Sequence, residues 1–458
     1  MRRWPKFQPI IVYQIRFAAS AAEFFFHYGI LLEWVGMPPN RPRQVVILAG
    51  GRGRRLRALT DRIPKPMVPF HGQPFLTYLL QMLQRQGFER VLLLLGYRGR
   101  AIEEEYGSGK KLGLSIEYSL TSPENETGRR LALVYDRLDP CFLLVYCDNY
   151  WPMQFQTMWE RYLAAGLPAM TTVYSNRDGY SKSNVRLDER GYVVAYDRYR
   201  KQPGLSGVEI GFAILNKDIL RLLPRGNPVF QIEVYSRLIR KRQLLAYSTD
   251  HRYYSVGSLD RLTLTDAFLA PQRAVILDRD GVLNRKLRRA YYVTHWKQFK
   301  WIAKSREALR LLKQAGYRLI LVTNQAGVAR GFMTQLDLDM IHQQMQNDLR
   351  RFDAAIDKIY VCAHGWNDNC RCRKPNPELL FQAQKDFHLD LTRTPFVGDN
   401  ERDMEAGRRA GCPAFWVSPR HNLYEWTRKF LIATMRTRDR LLGSAPIGWP
   451  KPPSSHER

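Results

Sequence analysis

The chain has 458 residues, so two domains of about 150–250 residues each are expected rather than one. Apolar residues make up 45% and charged residues 25%, a globular composition that excludes a disordered, collagen-like or coiled-coil chain. The 71 basic residues outnumber the 43 acidic ones and give a net charge of +28. Such a charge attracts nucleic acids, acidic lipids or phosphorylated metabolites, and an arginine-rich surface that serves solubility is the alternative.

The first 43 residues differ from the rest and are predicted to be an extension outside the fold. Basic residues precede an aromatic-rich apolar stretch, as in a signal peptide, but Glu23 interrupts the apolar part. An amphipathic surface helix is a second interpretation. We favour a third, in which the protein starts at Met37. Acidic residues also interrupt Phe17–Val35, the best candidate for a membrane span, so no spanning helix is predicted.

From Gln44 onward, short apolar or alternating runs are separated by helical patterns, which is typical of a mostly parallel sheet covered by helices. The predicted strands of this first block are Val45–Ala49, Val91–Leu95, Ser115–Ser119 and Phe142–Tyr146, and a predicted helix covers Gln73–Gln86.

A second alternating block starts at Val275, after a predicted junction at Leu264–Arg273. Its predicted strands are Val275–Leu277, Arg318–Val322, Lys358–Val361 and Pro395–Val397, with a helix over Ser305–Ala315. The sequence therefore predicts an α/β protein with two doubly wound, mostly parallel-sheet domains, at residues 44–270 and 271–425. A basic tail is predicted at 426–458, and its tip is expected to be disordered.

A glycine-rich turn follows the first strand, within Val46–Leu56. Glycines let backbone amides approach a polyphosphate, and basic side chains add charge. The turn is not a Walker loop and lacks the third glycine of a dinucleotide fingerprint, and an ordinary strand-to-helix connection is the alternative. The candidate nucleotide-binding residues are Gly50, Gly51, Gly53, Arg55 and Lys65.

The longer stretch Leu48–Pro74 resembles the sugar-1-phosphate nucleotidyltransferases, which join a nucleoside triphosphate to a sugar 1-phosphate. The resemblance runs to about Phe268. It implies that Asp148, directly after a predicted strand, binds the metal ion of the nucleotide site.

The chain departs from this family at three places. The substrate loop reads Asn-Glu-Thr-Gly-Arg-Arg at 125–130, the Glu-Lys pair is Arg-Tyr at 198–199, and the second metal aspartate is Ser255. The loss of a carboxylate weakens the binding of Mg²⁺. This domain is therefore expected to be a slow enzyme, an enzyme with an altered substrate, or only a binding and scaffolding unit that keeps its affinity for nucleotide. Glu209, a water molecule or direct neutralisation of phosphate by Arg129 and Arg130 are the alternatives that would preserve transfer.

The clearest candidate for a catalytic motif in the second block is the run Asp278-Arg279-Asp280-Gly281, which follows a predicted buried strand. Ligands of open α/β sheets bind at the carboxyl ends of the strands. The first carboxylate can attack phosphorus and form an aspartyl-phosphate. The second can protonate the leaving oxygen and then activate water. Acid pairs are common on surfaces, so this motif alone is weak.

Three further strand ends strengthen the case. Thr323 can donate to a phosphoryl oxygen, and Arg373 and Lys374 can offset the charge of the transferred group. The acids of Gly398–Asp403 can hold Mg²⁺, which prefers oxygen ligands. Each piece alone could be a cap or a turn, but four in order at strand ends indicate one site.

The block from Arg273 to Ser418 resembles the haloacid dehalogenase superfamily of Mg²⁺-dependent phosphatases. More narrowly, it is similar to the histidinol-phosphate and D,D-heptose 1,7-bisphosphate phosphatases, and the run at 323–331 is close to the heptose enzyme's pattern. The resemblance implies Asp278 as nucleophile, Asp280 as acid and base, Thr323 and Lys374 as phosphoryl stabilisers, substrate contacts from Asn324, Gln325 and Arg373, and Mg²⁺ on Asp278, the Asp280 carbonyl and Asp399. Asp403 matches a motif position without a settled role.

A cysteine and histidine cluster precedes the predicted cations. The residues Cys362, His364, Cys370 and Cys372 make a C-x-H, five-residue spacer, C-x-C pattern. Three thiolates and one imidazole suit a closed structural Zn²⁺ site, and the phosphatase subfamily carries this cluster. Buried free cysteines or a disulfide are the alternatives, and a cytoplasmic location, which we expect, disfavours the disulfide.

The combination points to nucleotide-activated heptose biosynthesis for surface polysaccharide. The phosphatase would remove one phosphate from heptose 1,7-bisphosphate, and the first domain would load the resulting 1-phosphate onto a nucleotide. The expected cofactors are Mg²⁺ and structural Zn²⁺, and the expected partners are a phosphorylated sugar and a nucleoside triphosphate. One alternative is a phosphatase for histidinol phosphate or another small ester with an inactive nucleotide-binding domain. The other is a basic nucleic-acid-binding protein, although no RNA- or DNA-binding motif is visible.

Overall fold

The computed structural model describes residues 41–53, 56, 61, 63–288 and 291–442, with side chains up to residue 435. Most of the predicted N-terminal extension, including Met37, the tip of the predicted tail and Arg55 lie outside the described residues. Within the described part of the chain, no helix is both long enough and apolar enough to cross a membrane.

The first half of the chain supplies a large sheet and three short two-stranded ladders. The strands in chain order are β1 (Gln44–Ala49), β2 (Pro69–Phe70), β3 (Gln73–Pro74), β4 (Arg90–Leu95), β5 (Ser115–Leu120), β6 (Cys141–Tyr146), β7 (Asn149–Tyr150), β8 (Ala169–Tyr174), β9 (Val185–Leu187), β10 (Val193–Tyr196), β11 (Val208–Asn216), β12 (Leu244–Thr249) and β13 (Tyr254–Ser255).

In the described residues, the large sheet has seven strands in the order β12-β8-β11-β6-β1-β4-β5. Only β11 in this sheet runs antiparallel to its described neighbours, β6 and β8. Strand β1 is buried throughout and lies between β6 and β4, parallel to both. The loops that follow β1 and β6 therefore meet at one edge of the sheet.

The second half forms a smaller sheet from β14 (Ala274–Leu277), β15 (Arg318–Asn324), β16 (Lys358–Cys362), β17 (Phe396–Gly398) and β18 (Ala414–Trp416). As described, its order is β16-β15-β14-β17-β18, and every pairing is parallel. The central strand β14 is buried along its whole length, as is typical of the middle strand of a parallel sheet.

The α-helices in chain order are α1 (Phe75–Arg85), α2 (Gly99–Tyr106), α3 (Thr127–Ala132), α4 (Phe155–Ala165), α5 (Ser236–Arg240), α6 (Leu259–Leu269), α7 (Ser305–Gln314), α8 (Gln335–Arg350), α9 (Glu378–Phe387), α10 (Glu401–Ala410) and α11 (Leu423–Leu442). The mostly parallel α/β architecture predicted from the sequence is confirmed, and each predicted strand is present to within two residues of its predicted ends.

Three predicted boundaries differ from the structure. Helix α6 runs to Leu269 and so occupies the first part of the predicted junction Leu264–Arg273. Helix α1 begins two residues later than predicted, because Gln73 and Pro74 pair with β2 as a short strand. Helix α11 spans the predicted start of the tail at residue 426, and its Trp426 stacks on Phe430, which in turn contacts Tyr317. The stretch up to Leu442 is thus helix rather than tail.

Strands β2, β3, β7 to β13 and β18 were not predicted. In β11 the acidic Glu209 interrupts the apolar pattern, yet this side chain is buried and accepts hydrogen bonds from Thr171 and the Gly211 amide. A buried carboxylate in a strand needs partners from elsewhere in the fold, and a local pattern does not show them.

Contacts join the two halves next to the second sheet. The Gln384 amide on α9 donates to the Tyr254 hydroxyl at 2.8 Å, and the Leu391 amide donates to His251 at 3.4 Å. All of these groups are buried. The described residues from Arg41 onward belong to one compact unit, so the domain boundary at 270/271 stays a prediction.

Candidate active site

The predicted phosphatase residues meet at the carboxyl edge of the second sheet. Asp278 follows β14, Thr323 lies at the end of β15, and Asp399 follows β17. Because these strands are adjacent and parallel, their ends place the three side chains around one point. The structure thus brings these three predicted residues together at one strand edge. Arg373 and Lys374, which were also predicted at a strand end, lie instead in the loop between β16 and α9.

Lys374 occupies the centre of this group. Its Nζ lies 2.9 Å from Asp278 Oδ1 and 2.7 Å from Asp403 Oδ1, and it donates to the Val322 carbonyl at 2.9 Å. Burial would lower the pKa of Lys374, but the two carboxylates outweigh it and raise that pKa above its usual value. Burial raises the pKa of Asp278 to about 7, although Lys374 opposes the shift. The buried cation is therefore held by anions at the place where a phosphoryl group would carry charge.

Three carboxylates form a candidate cation site. Oxygen atoms of Asp278, Asp399 and Asp403 all lie within 4.8 Å of one another, and such hard oxygen donors suit Mg²⁺. Gly281 makes this approach possible: its φ is +92°, and a Cβ there would lie 2.0 Å from Asp399 Oδ2. The cluster contains both carboxylate ligands implied by the resemblance and adds Asp403, whose role the sequence left open.

Asp280 is held by a set of nitrogen donors. Arg279 contacts both of its oxygens at 3.0 and 3.2 Å, Asn284 donates to Oδ1 at 2.8 Å, and Gln325 donates to Oδ2 at 2.7 Å. Burial would raise the pKa of Asp280, but these donors outweigh it and keep the pKa below its usual value. The Gln325 amide also donates to Thr323 at 2.9 Å, so the predicted substrate residue Gln325 is engaged with catalytic side chains.

The predicted substrate residue Asn324 fastens the loop that carries the cations. Its amide donates to the Lys374 carbonyl and its oxygen accepts from the Lys374 amide, both at 3.1 Å. Arg373 donates to the His364 carbonyl at 3.3 Å and lines the cavity beside the site.

A cavity of about 570 Å³ opens from the acidic cluster, a size that suits a small organic ligand. Its mouth carries basic and aromatic side chains: Lys286, Arg288, Arg373, Arg402, Tyr291 and Trp366. Tyr291 is 72% exposed and Trp366 is 47% exposed. The mouth can thus receive an anionic ligand with an apolar face.

The predicted zinc ligands converge next to this cavity. The sulfur of Cys370 lies 3.7 Å from that of Cys362 and 3.6 Å from that of Cys372, and His364 Nδ1 lies 3.2 and 3.8 Å from two of the sulfurs. A tetrahedron with Zn–S bonds of about 2.3 Å has edges of about 3.8 Å. The ligand atoms therefore have the spacing of a closed tetrahedral site, and the cysteines are free rather than paired in disulfides.

At the edge of the first sheet, Lys65 and Asp148 are brought together. Lys65 Nζ lies 2.5 Å from Asp148 Oδ2. Ser255 pairs with Asn149 through the β7–β13 ladder, so it stands next to Asp148 as the family pattern predicts. Burial raises the pKa of Glu209 to about 7, and its hydrogen bonds to Thr171 and Gly211 already engage it.

The glycine turn is filled by Arg130. This side chain is only 3% exposed and donates to the carbonyls of Gly50, Leu95 and Ser122. A Cβ on Gly50 would lie 2.3 Å from the Arg130 guanidinium carbon. Direct neutralisation of phosphate by Arg130 is therefore wrong for this structure, because its guanidinium is turned inward onto carbonyl oxygens. Gly51 and Gly53 border this turn.

Sequence reasoning named Arg130 only as a possible phosphate ligand and did not place it at this turn. It missed Arg279 and His342 beside Asp280. Arg279 was visible between the two aspartates, and a cation at that place could have suggested a partner for Asp280. His342 lies on α8, 63 residues further along the chain, and no local signal marks it.

Comparisons with known proteins match the two parts of the chain separately. The nucleotidyl transferase family model matches residues 44–183, and the haloacid dehalogenase-like hydrolase model matches residues 262–417. The D-glycero-beta-D-manno-heptose-1,7-bisphosphate 7-phosphatase of Bordetella bronchiseptica is 36% identical over 145 residues, which is 32% of this chain and 80% of that protein. The phosphatase of the same name from Helicobacter pylori strain J99 is 38% identical to this chain over 143 residues, which is 31% of this chain and 80% of that protein.

Solved structures are also similar to parts of the chain. The D,D-heptose 1,7-bisphosphate phosphatase of B. bronchiseptica, complexed with magnesium and phosphate, is 30% identical and covers 35% of this chain and 99% of its own, with a TM-score of 0.34. HddC from Yersinia pseudotuberculosis is 22% identical and covers 48% of this chain and 96% of its own, with a TM-score of 0.43. The curated relatives and the family models confirm both resemblances seen in the sequence. Through its second half the chain belongs to the haloacid dehalogenase-like hydrolases, and a nucleotidyl transferase domain precedes that half.

Proposed function

We propose that the second half is a Mg²⁺-dependent phosphatase for a small phosphorylated sugar, with D-glycero-D-manno-heptose 1,7-bisphosphate as the substrate. The observation that carries this proposal is Lys374, buried between Asp278 and Asp403 at the end of three parallel strands. A nucleophilic carboxylate, a buried cation and a third acid in contact form the set that phosphoryl transfer to an aspartate requires.

The chain's own residues account for most of the chemistry. Asp278 attacks phosphorus, while Lys374 and the Thr323 hydroxyl stabilise the phosphoryl oxygens. Asp280 protonates the leaving oxygen and later takes a proton from the attacking water. The pKa of Asp280 is low in the free enzyme, so it takes up the first proton when the anionic substrate binds beside it, because a nearby negative charge raises the pKa of a carboxyl group. Asp278, the Asp280 carbonyl and Asp399 would hold Mg²⁺, with Asp403 beside them. When bound, that ion offsets the negative charge of the phosphate and of the clustered acids.

The named activity of the curated relatives supports the heptose bisphosphate. The basic side chains that line the cavity also favour a substrate with a second phosphate, because they attract its additional negative charge. The same proposal includes a role of the protein in nucleotide-activated heptose biosynthesis and a cytoplasmic location. Histidinol phosphate or another small ester remains the alternative substrate.

The test is phosphate release from heptose 1,7-bisphosphate, heptose 7-phosphate, histidinol phosphate and fructose 1,6-bisphosphate, with Mg²⁺ and with a chelator. We expect the heptose bisphosphate to give the highest kcat/KM and the chelator to abolish release. Faster turnover of histidinol phosphate would select the alternative substrate. Turnover that survives complete chelation would contradict the proposed use of Mg²⁺.

We also propose that Cys362, His364, Cys370 and Cys372 bind a structural Zn²⁺. Their tetrahedral spacing supports this, as does their position in the loop. Asn376 donates to the Cys370 carbonyl at 2.9 Å and Arg373 to the His364 carbonyl, so the cluster is tied to the residues on either side of Lys374.

For the first half, we predict that nucleotidyl transfer is absent or well below about 1 s⁻¹, a low rate for an enzyme. Ser255 offers a neutral hydroxyl, a poor Mg²⁺ ligand, and Lys65 is paired with Asp148. The measurement is pyrophosphate release with GTP, ATP and CTP, each with heptose 1-phosphate and Mg²⁺. Turnover of about 1 s⁻¹ or more would contradict the prediction, and a rate increase in Ser255→Asp would identify the missing ligand as the cause.

Arg130 gives this prediction a second test, through nucleotide binding alone. Because Arg130 fills the space over Gly50, Arg130→Ala is expected to raise the affinity for GTP or ATP by about tenfold or more, about 1.4 kcal/mol. Arg129→Ala is the matched control, because that neighbouring side chain is exposed. Equal or weaker binding in Arg130→Ala, measured by calorimetry, would show that Arg130 does not close the turn.

A further inference from the structure

Arg279, between the two catalytic aspartates, is a fully buried cation. Its relative exposure is 0%, and a buried guanidinium is costly unless hydrogen-bonded partners surround it. One terminal nitrogen contacts both oxygens of Asp280, and the other lies 3.1 Å from His342 Nε2. The side chain therefore links Asp280 to helix α8.

The contact with Arg279 determines the tautomer and the charge of the His342 imidazole. A guanidinium carries only donors, so Nε2 of His342 must be the acceptor and the proton of the neutral ring must sit on Nδ1. Burial, reinforced by Arg279, lowers the pKa of His342 to about 3. His342 is thus a neutral acceptor that holds the far side of the guanidinium.

This chain of contacts ends on the Asp280 carboxylate, which transfers protons in the proposed reaction. Asp280 receives two contacts from Arg279, one from Asn284 and one from Gln325. Asn284 and Gln325 belong to the loops of the site itself, whereas His342 belongs to a helix whose Thr334 capping box fixes its start. Arg279 and His342 therefore tie the direction of the Asp280 side chain to a rigid element outside the strand-end loops.

We infer that Arg279 and His342 are positioning residues for Asp280 and set its alignment with the leaving oxygen. The inference rests on the proposed phosphatase function. A sugar alkoxide is a poor leaving group, so its departure needs a proton from a well-placed acid. When the P–O bond to the sugar breaks and the bond to Asp278 forms, that proton passes from Asp280 to the sugar oxygen. A misdirected Asp280 slows this step without weakening contacts to the phosphate.

Comparing substrates with different leaving groups distinguishes a positioning role of His342 from a general loss of structure in the site. In 4-nitrophenyl phosphate the leaving phenolate is weakly basic and departs without protonation. His342→Leu removes the acceptor and keeps an apolar side chain of similar size. We expect it to lower kcat/KM for the sugar bisphosphate by about 10- to 100-fold and kcat/KM for 4-nitrophenyl phosphate by less than about threefold. KM for the sugar bisphosphate should change little.

Two further variants complete the test. His342→Gln retains an oxygen acceptor and should restore most of the sugar phosphatase rate lost in His342→Leu. Leu338→Ala, a buried packing position on the same helix, should lower thermal stability and change both substrates by the same factor. Equal loss on both substrates in His342→Leu, or no rescue by glutamine, would overturn the inference. A wild-type protein that releases no phosphate from any sugar phosphate would instead refute the proposed function.

Discussion

Replacing Asp278 with asparagine is expected to lower phosphate release from heptose 1,7-bisphosphate by at least about a thousandfold, the scale seen when an enzyme loses its nucleophile. The amide has nearly the same shape as the carboxylate, but it cannot form the aspartyl-phosphate. Lys374 keeps its contact with Asp403, so the loop that carries Lys374 should stay in place. The measurement is the steady-state rate of phosphate release at saturating Mg²⁺.

Asp357→Asn is the matched control for this prediction. Asp357 precedes β16, at the opposite end of the strands from the site, and its oxygens lie 2.9 Å from Lys313. Its loss should cost some stability and leave kcat unchanged. Turnover of Asp278→Asn within about tenfold of the wild type would refute Asp278 as nucleophile and with it the aspartyl-phosphate route.

The strand-end residues of this site could be predicted from sequence because parallel strands impose the geometry. Once Asp278, Thr323 and Asp399 each follow a buried apolar run, the sheet brings them together whatever the intervening chain does. The tetrahedral cysteine and histidine cluster was predictable for a related reason, since all four ligands lie within one short stretch.

The residues that sequence analysis missed depend on contacts between distant segments. Arg130 reaches Gly50 across 80 residues, and Arg279 reaches His342 across 63. Both arginines stand in motifs that the sequence analysis singled out, but the partner of each side chain appears only when a distant element packs against it. Strand β11 was missed similarly, because the partners that satisfy Glu209 come partly from β8.

The turn at Gly50 shows how a motif can be present with a different occupant. Glycines at a strand end indicate that something approaches the backbone closely, and the sequence favoured a polyphosphate. In the structure the approaching group is the guanidinium of Arg130. The same group also lies close to Gly96, where an added Cβ would be 2.5 Å from one of its nitrogens. Gly50, which a nucleotide would require, is thus used to accommodate Arg130, whereas a Cβ on Gly51 would meet no atom within 4 Å.

The last expectation concerns the zinc site, whose loss should disable the phosphatase through Lys374. Cys372→Ser replaces a thiolate with a weak ligand two residues before that lysine. Structural zinc sites contribute about 10–16 kcal/mol of apparent binding free energy in small zinc peptides, so the variant should lose most of its metal. We expect about one zinc per chain in the wild type by elemental analysis, and far less in the variant.

The same variant should lose phosphatase activity while the first sheet stays folded. Without zinc, the loop from Cys362 to Cys372 no longer fixes Arg373 and Lys374, so the buried cation leaves Asp278 and Asp403 and kcat falls. Cys141→Ser is the matched control, because Cys141 lies in β6 of the first sheet and its change should leave zinc content and kcat at wild-type values. Natively purified, unchelated protein without zinc would contradict the assignment. Full activity in a zinc-free Cys372→Ser variant would show instead that the loop positions Lys374 without the metal.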